Sequence, residues 1–290
     1  MADSSFHDRI DQFLVRRLKR DGSFRMDESH YHPYYEIYYV LSGQCRCFIG
    51  HSIYLLFPGD MVLIPPGILH KMIYESALPT ERLTLSFTPE YASAFRKDCG
   101  EEAWSHIFCR MRLTLASSMQ TPFLALAGQL EAESAGTDAY STALTKSIFF
   151  QMLAMIGRSQ DSSQEPQLLD QAQTAIQESA RYIYEHYEEN ITLSDAARFA
   201  HMSPTYFSRK FKKATGFGFK EYLTYLRMQK AAQLLLTTND SITEIAGICG
   251  FSDSNYFGDA FGKHFGMSPR SYRRKASYAD RCTSENGAHQ

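Results

Sequence analysis

The sequence predicts an α+β protein: an N-terminal antiparallel β-barrel with flanking helices, followed by an all-α domain with two helix-turn-helix units. Residues 30–88 contain short β-branched or aromatic runs separated by Gly or Pro turns. Residues 101–157 and 171–275 show the spacing of helices. Two similar segments, 193–216 and 242–266, form an internal repeat in the second helical part. Together these observations predict two domains.

Length and composition narrow the class of protein. The chain has 290 residues, of which 44% are hydrophobic and 21% charged, a composition that excludes disordered and collagen-like chains. Its length predicts two domains, each able to bury a core. We expect no membrane span, because no apolar run reaches about 18 residues, and no signal peptide. The six cysteines lack a CxxC pair, which favours a reduced, cytoplasmic protein.

Charge is distributed unevenly between the two halves. Residues 1–178 contain 15 Lys+Arg and 21 Asp+Glu, and residues 179–290 contain 15 and 11, so the net charges are −6 and +4. Such an asymmetry fits a chain whose second half alone meets a polyanion, although a charge of this size can also arise by chance.

The N-terminal half reads as strands followed by helices. The strand segments are IYYVLSG, CRCFIG, SIYLLFPGD, MVLIPPG and RLTLSF. Helical spacing follows over 101–117, 122–133 and 139–157, the last with Leu144, Ile148, Met152 and Met155 on one face. This stripe either pairs two subunits or covers the barrel. Residues 1–29 receive no assignment, and the polar stretch 158–167 reads as a linker.

The repeated segments have the form of helix-turn-helix units. In the first, His201 and Met202 make the turn, Ser203 caps the second helix, and Pro204 stands at its first position. Phe207 and Phe211 face the core. The exposed positions of this second helix then carry hydrogen-bonding and basic groups, suited to bases and phosphates: Thr205, Ser208, Arg209 and Lys212. We therefore expect this helix to enter a DNA major groove.

The pattern GF-x₄-YF…F-x₃-FG-x-SP-x₂-YR, from Gly250 to Arg273, resembles the DNA-binding domain of AraC-family transcription regulators. The resemblance covers residues 175–275 and implies seven helices, with two helix-turn-helix units joined by one long helix. It supports a DNA-contacting set made of Ser203, Thr205, Tyr206, Ser208, Arg209, Lys212, Ser254, Asn255, Tyr256 and Gly258.

The second unit departs from the family pattern. Gly258-Asp259 stands where relatives often have Ser-Arg, and Gly262 where they often have Lys. An aspartate near phosphates is repulsive, so we expect the first unit to supply most of the affinity. Alternatively, Asp259 accepts a hydrogen bond from a cytosine amino group.

Two segments of the N-terminal half resemble the cupin motifs. Residues 30–43 have the form H-x-H-x₃-E-x₆-G, and residues 59–70 the form G-x₅-P-x-G-x₂-H. The period of a strand sends His30, His32, Glu36 and Tyr38 to one face. In metal-binding cupins the residues matching His30, His32, Glu36 and His70 hold a divalent cation, whereas AraC-family sensor domains often keep this pattern without metal. We predict no metal and no cofactor, and a ligand site of His30, His32, Glu36, Tyr38 and His70.

Neighbouring side chains have plainer interpretations. The tyrosines around this motif could stack on a sugar ring, but β-propensity and packing explain most of them: Tyr31, Tyr34, Tyr35, Tyr38 and Tyr39. Cys45 and Cys47 share a face and are interpreted as part of an ordinary strand rather than a redox pair.

The resemblance implies a non-enzymatic, ligand-responsive transcription regulator, most simply an activator that senses a sugar or other small polar metabolite. Its domains are 1–157 for ligand sensing and dimerisation, 158–170 as a linker, 171–275 for DNA binding and 276–290 as a flexible tail. Its partners are double-stranded promoter DNA, a small effector, a second copy of the chain and RNA polymerase, with no membrane. A metal-dependent cupin enzyme fused to a DNA-binding domain, and a constitutive DNA-binding dimer without a ligand, are the alternatives.

Overall fold

The computed structural model describes residues 10–20, 31–74, 79–160 and 169–274. The chain divides into two compact units between Asp170 and Gln171. The first unit is built on β-strands and the second on helices. No helix among the described residues is both long and apolar enough to cross a membrane.

Eight antiparallel strands form two sheets in the first unit. The larger sheet has the order β1-β7-β2-β5-β8 and the smaller β4-β3-β6. The strands are β1 (Phe13–Arg20), β2 (Tyr35–Ser42), β3 (Cys45–Ile49), β4 (Ser52–Leu56), β5 (Asp60–Ile64), β6 (His70–Ile73), β7 (Thr80–Phe87) and β8 (Arg112–Thr114). The prediction of strands in the first half is confirmed, and three strands outside the predicted segments are added: β1, β6 and β8.

The two faces of the larger sheet differ in chemistry. In the register, Glu36 of β2 lies opposite Ser86 of β7, and Tyr38 lies opposite Thr84. These residues and Val40 face the smaller sheet and enclose an interior cluster that includes Cys47. The alternate residues form an apolar layer on the other face, for example Ile37, Leu83 and Phe87. Because side chains alternate along a strand, each strand contributes to both layers.

Three helices cover the apolar face: α1 (Ser93–Ile107), α2 (Ser117–Ser134) and α3 (Ser141–Ser159). Along the predicted stripe of α3, Ile148 and Met152 are buried in this layer and Met155 is partly buried. Leu144 is 45% exposed. The stripe therefore mainly covers the barrel.

The predicted helix over 101–117 is wrong at its C-terminal end. Arg112–Thr114 is a strand that pairs with β5, with Asp60 opposite Thr114. The guanidinium Nη2 of Arg112 lies 2.9 Å from the buried Asp60 carboxylate, and Leu113 is completely buried. This pairing with a distant strand outweighs the local helical spacing.

The second unit consists of helices and connecting loops in its described residues. Its helices are α4 (Gln171–His186), α5 (Leu193–Phe199), α6 (Pro204–Thr215), α7 (Phe219–Thr237), α8 (Ile242–Ile248) and α9 (Ser254–Phe265), and residues 269–274 are also helical. This matches the expected seven helices over 169–274. Along the chain, the long helix α7 separates two helix pairs, α5 with α6 and α8 with α9.

Candidate effector site and nucleic-acid interface

A carboxylate and two imidazoles meet inside the barrel. Glu36 Oε2 lies 3.4 Å from His32 Nε2 and 3.4 Å from His70 Nε2. All three side chains are buried. His70 begins β6 of the smaller sheet and Glu36 belongs to β2 of the larger one, so the contact joins the two sheets. His32 precedes β2, so a bend, rather than the expected strand alternation, brings it to Glu36.

Backbone carbonyls fix the orientation of both rings. His32 Nδ1 lies 2.8 Å from the Tyr34 carbonyl oxygen, and His70 Nδ1 lies 2.9 Å from that of Ile68. A carbonyl oxygen can only accept, so each Nδ1 carries a proton and donates it. Each Nε2 then points towards Glu36, either as a lone pair on a neutral ring or as a second N–H on a charged one.

These two protonation states give the cluster two chemical capabilities. With charged rings, Glu36 is an anion held by two donors. Burial opposes ionisation of this carboxyl, but hydrogen bonds from His32 and His70 and the charge of the two rings outweigh it and hold the pKa of Glu36 well below its ordinary value. With neutral rings, two nitrogen lone pairs and a carboxylate oxygen converge.

The second state fits the donor set of a divalent transition metal. The three ligand atoms lie within 4.8 Å of one another. Metal bonds of about 2.0–2.2 Å at tetrahedral angles place ligand atoms about 3.4 Å apart, so the widest separation must contract by roughly 1.4 Å. The carbonyls on both Nδ1 atoms would then act as the outer partners that orient metal-bound histidines.

The other predicted effector contacts have different environments. Tyr38 is buried between the sheets, and burial raises the pKa of its phenol, which stays protonated. His30 lies outside the described residues. Tyr35 stacks on Phe87, and Tyr39 packs against Phe123, both in the apolar layer beneath the helices.

The two interior cysteines have the properties of a packed strand. Cys45 and Cys47 are buried in the interior cluster as free thiols. Burial raises the pKa of Cys45 to about 12 and that of Cys47 well above its ordinary value. These thiols remain protonated near neutral pH and are poor nucleophiles and metal ligands.

In the helical unit, α6 presents the predicted DNA-contacting face. The Ser203 hydroxyl caps this helix by accepting from Tyr206 N, as expected, with Pro204 in its first turn. An open groove of about 540 Å³ is lined by Leu193, Pro204, Thr205, Ser208, Arg209, Lys212 and Lys213. All four base- or phosphate-facing candidates of the first unit are in this set. Pro204, Leu193 of α5, and Lys213, which the repeat did not single out, complete it.

Tyr206 supports the basic surface of α6 from the side. Its ring is 39% exposed and lies 5.6 Å from the Arg209 guanidinium and 5.4 Å from the Lys210 ammonium. Cations at this distance are attracted to the ring face. We infer that Tyr206 orients Arg209 in addition to any contact of its own with DNA.

The second helix-turn-helix unit places a different surface in the position that corresponds to the exposed face of α6. Its helix α9 exposes Ser254, Asn255 and Tyr256, while Gly258 offers only backbone. A Cβ built at Gly258 meets no atom within 4 Å, so this part of the surface is open. α6 carries Arg209 and three lysines with no carboxylate, whereas α9 carries Lys263 and Asp259. This difference favours the first helix-turn-helix unit for binding phosphates.

The turns of the two helix-turn-helix units share one geometry. Met202 N donates to the Ala197 carbonyl and Phe251 N to that of Ala246, both 2.9 Å, which closes each first helix with a six-residue hydrogen-bonded turn. The left-handed position is His201 in the first unit (φ 53°) and Gly250 in the second (φ 80°). The second turn is one residue longer because Asp253, rather than Ser252, caps α9. The second segment of the repeat, 242–266, is therefore one residue longer than the first, 193–216.

Two arginines hold the helical unit together, and sequence reasoning missed this role. Arg227 of α7 donates to the carbonyls of Tyr187 (2.8 Å) and Glu189 (2.9 Å). Arg273, the last residue of the specific pattern, donates to the carbonyl of Leu235 in the last turn of α7 (3.2 Å) and to that of Asp240 in the following loop (2.7 Å). Both satisfy backbone oxygens that a helix end or loop leaves without partners.

Comparisons with known proteins match both units. An AraC-like ligand binding domain model matches residues 15–153, and a helix-turn-helix domain model matches 196–275. The chain belongs to the AraC family of transcription regulators. It combines the family's ligand-binding domain with its helix-turn-helix DNA-binding domain, and the relatives of this AraC-family chain are named as transcriptional regulators rather than enzymes.

Relatives of this AraC-family chain cover most of its length. The HTH-type transcriptional activator RhaR of Mannheimia succiniciproducens is 29% identical over 85% of this chain and 87% of that protein. The Msm operon regulatory protein of Streptococcus mutans is 24% identical over 83% of this chain and 84% of that protein.

A solved C-terminal domain of AraT, a response regulator from Geobacillus stearothermophilus, is 40% identical over 38% of this chain and 88% of that chain, with a TM-score of 0.34.

Proposed function

We propose that this protein activates transcription by binding promoter DNA through its two helix-turn-helix units when a small polar effector occupies the barrel. The exposed face of α6 carries the proposal: Thr205, Ser208 and Arg209 line one groove on a helix whose other face is buried through Phe207 and Phe211. An exposed helix of this length and charge fits a major groove. Activation is the activity named for relatives such as RhaR.

The effector site of the proposal lies between the two sheets. Glu36, His32 and His70 supply hydrogen-bonding groups beside an apolar interior cluster, a combination typical of small-molecule sites. A sugar is one candidate class. Whatever its class, the effector must bind the DNA-binding arrangement better than the other arrangement, because equal affinity for both would shift neither.

A second copy of the chain completes the proposed regulator. Three apolar side chains on or next to α2 and α3 are exposed: Leu124 of α2 (38%), Leu144 of α3 (45%) and Tyr140, which directly precedes α3 (75%). Apolar groups exposed in this way fit a subunit contact, and a dimer doubles the DNA contacts. Sedimentation velocity tests this contact: Leu144→Glu shifts a dimeric chain towards monomer. We propose RNA polymerase as the partner at the promoter, since activation requires its recruitment or stimulation.

A gel-shift experiment with DNA flanking the protein's own gene tests the DNA-binding part. Arg209→Ala lowers affinity by about 10- to 100-fold, the usual loss for a side chain that reads a base. Arg181→Ala is the matched control, because Arg181 is an exposed arginine of α4, outside both helix-turn-helix units. Equal losses in both variants would refute the assignment of α6 as the reading helix.

A further inference from the structure

Arg82 of β7 is a buried cation inside the barrel that the DNA-binding and metal interpretations do not use. It is 3% exposed. Its Nε and Nη1 atoms have no hydrogen-bond partner among the described residues, and no aspartate or glutamate within those residues pairs with it. An arginine is always charged in proteins, and a buried charge without an anionic partner is costly. This arrangement calls for an anionic group that the described residues do not provide.

The strands beside Arg82 leave its in-plane donors unsatisfied. Leu18 of β1 and Val40 of β2 lie directly opposite Arg82 on either side. Neither side chain can accept a hydrogen bond. The guanidinium carbon lies 4.4 Å from the centre of the Tyr38 ring and 5.4 Å from that of Tyr74. These rings stabilise the charge through its flat faces and leave the fork of N–H groups at its edge available.

The surroundings of Arg82 contain hydroxyls and other arginines, and the described residues bring no aspartate or glutamate to it. The next residue on the same face of β7, Thr84, has a buried hydroxyl with no partner among the described residues. Thr84 lies opposite Tyr38, whose phenol stays protonated. Arg16 and Arg20 of β1 share this face, opposite Thr84 and Thr80. The carboxylate of Glu36 on the same face is already held by His32 and His70.

We infer that the effector carries an oxyanion, a carboxylate or a phosphate, and that Arg82 binds this group between the two sheets. Two parallel N–H···O bonds from an arginine fork match the geometry of such a group. The Thr84 and Tyr38 hydroxyls then serve further oxygens of a hydroxylated body. The inference rests on the proposed effector site and names its chemical class: a small hydroxy acid, sugar acid or sugar phosphate, rather than a neutral sugar.

Thermal unfolding of the full chain tests the class. The probes are inorganic phosphate, a panel of neutral monosaccharides, and the matching sugar acids and sugar phosphates, with the last two separating a carboxylate from a phosphate effector. At about 100 times its Kd a bound anion raises the unfolding midpoint by roughly 5–10 °C. This shift disappears in Arg82→Gln, is reduced in Arg82→Lys, and persists in Arg17→Gln, which removes an exposed arginine from the other face of β1.

The variants also give a test that needs no effector. Without an anion, Arg82→Gln has an unfolding midpoint equal to or above that of the unsubstituted chain, because it removes a buried charge without a partner. A lower midpoint would overturn the inference by showing that the fold itself satisfies Arg82. A neutral sugar that stabilises both chains equally would also overturn it while upholding ligand sensing. No shift with any probe would overturn the oxyanion assignment, and a gel shift that responds to cell extract would still uphold the proposed effector control.

Discussion

Glu36 Oε2 lies 3.4 Å from His70 Nε2, across the space between the two sheets of the barrel. The two residues come from the separate sequence motifs that predicted the site. Their contact turns a local pattern into a tertiary link, since β2 and β6 share no hydrogen-bonded ladder among the described strands. A group bound at this point therefore touches both sheets at once.

The first prediction concerns this link. His70→Ala removes one partner of the buried Glu36 carboxylate, which His32 and Ser86 still contact, so we expect it to lower the stability of the barrel by about 1–3 kcal/mol. Trp104 is the only tryptophan in the chain and is buried in the core of the first unit, so its fluorescence in urea reports on that unit. His106→Ala is the control, because His106 lies on α1, away from Glu36. A loss no larger than that of the control would contradict the prediction.

The same cluster tests the predicted absence of metal. We expect EDTA to leave the unfolding midpoint and effector stabilisation unchanged, since His32 and His70 already hold Glu36 without a metal. Zn²⁺ or Mn²⁺ bound to neutral rings would instead raise the midpoint, and His70→Ala would abolish the rise. Stoichiometric metal in the purified chain would show that the neutral-ring state prevails.

Sequence reasoning located most of the fold because its signals were local. Ser203 and Pro204 indicated the start of α6 through capping chemistry, and the repeat located both turns. Sequence reasoning failed where a strand forms by contact with residues far away in the chain. The strand β8 forms because Arg112 meets Asp60, and β1 forms because Leu83 and Leu85 of β7 offer it a paired edge. Neither partner is visible within a sequence window.

The candidate site was predictable only in part for the same reason. The resemblance of the two motifs to those of cupins implied that Glu36 and His70 would meet. Nothing local marked Arg82, since an arginine in an alternating strand reads as a solvent-facing residue until the register places Leu18 and Val40 beside it. Arg227 and Arg273 were missed because their partners are backbone carbonyls, which leave no trace in residue types.

The second prediction concerns the helix-turn-helix turns. A Cβ at Gly250 would lie 2.6 Å from the Glu188 carbonyl oxygen, and its φ of 80° already disfavours any side chain. Gly250→Ala therefore destabilises the helical unit by about 1–3 kcal/mol. His201→Gly, at the matching turn, relieves the left-handed strain and leaves stability equal or slightly higher. Urea unfolding followed by circular dichroism measures both, and the same sign for both variants would refute the argument.

The third prediction concerns the second helix-turn-helix unit, which we expect to bind DNA more weakly than the first. Asp259 is exposed on α9, and Asp259→Arg removes a repulsive charge and adds a phosphate-binding one. We expect tighter DNA binding and a log–log salt dependence steeper by about one to two. Asp259→Ala separates the two readings of this residue. Tighter binding on every sequence indicates repulsion, whereas weaker binding confined to sites with one particular cytosine indicates base recognition.

The fourth prediction concerns pH. Burial lowers the pKa of His264 from 6.5 to about 4, with the ring packed against Phe265 and near Tyr225. The unfolded chain therefore binds more protons than the folded one between pH 6.5 and 4, and stability falls as the pH decreases through that window. His264→Gln flattens this part of the profile, while His186→Gln, at an exposed site on α4, does not. Circular dichroism in urea at pH 4.5 and 7 measures the slope. An unchanged slope in His264→Gln would mean that other groups set the acid sensitivity of the helical unit.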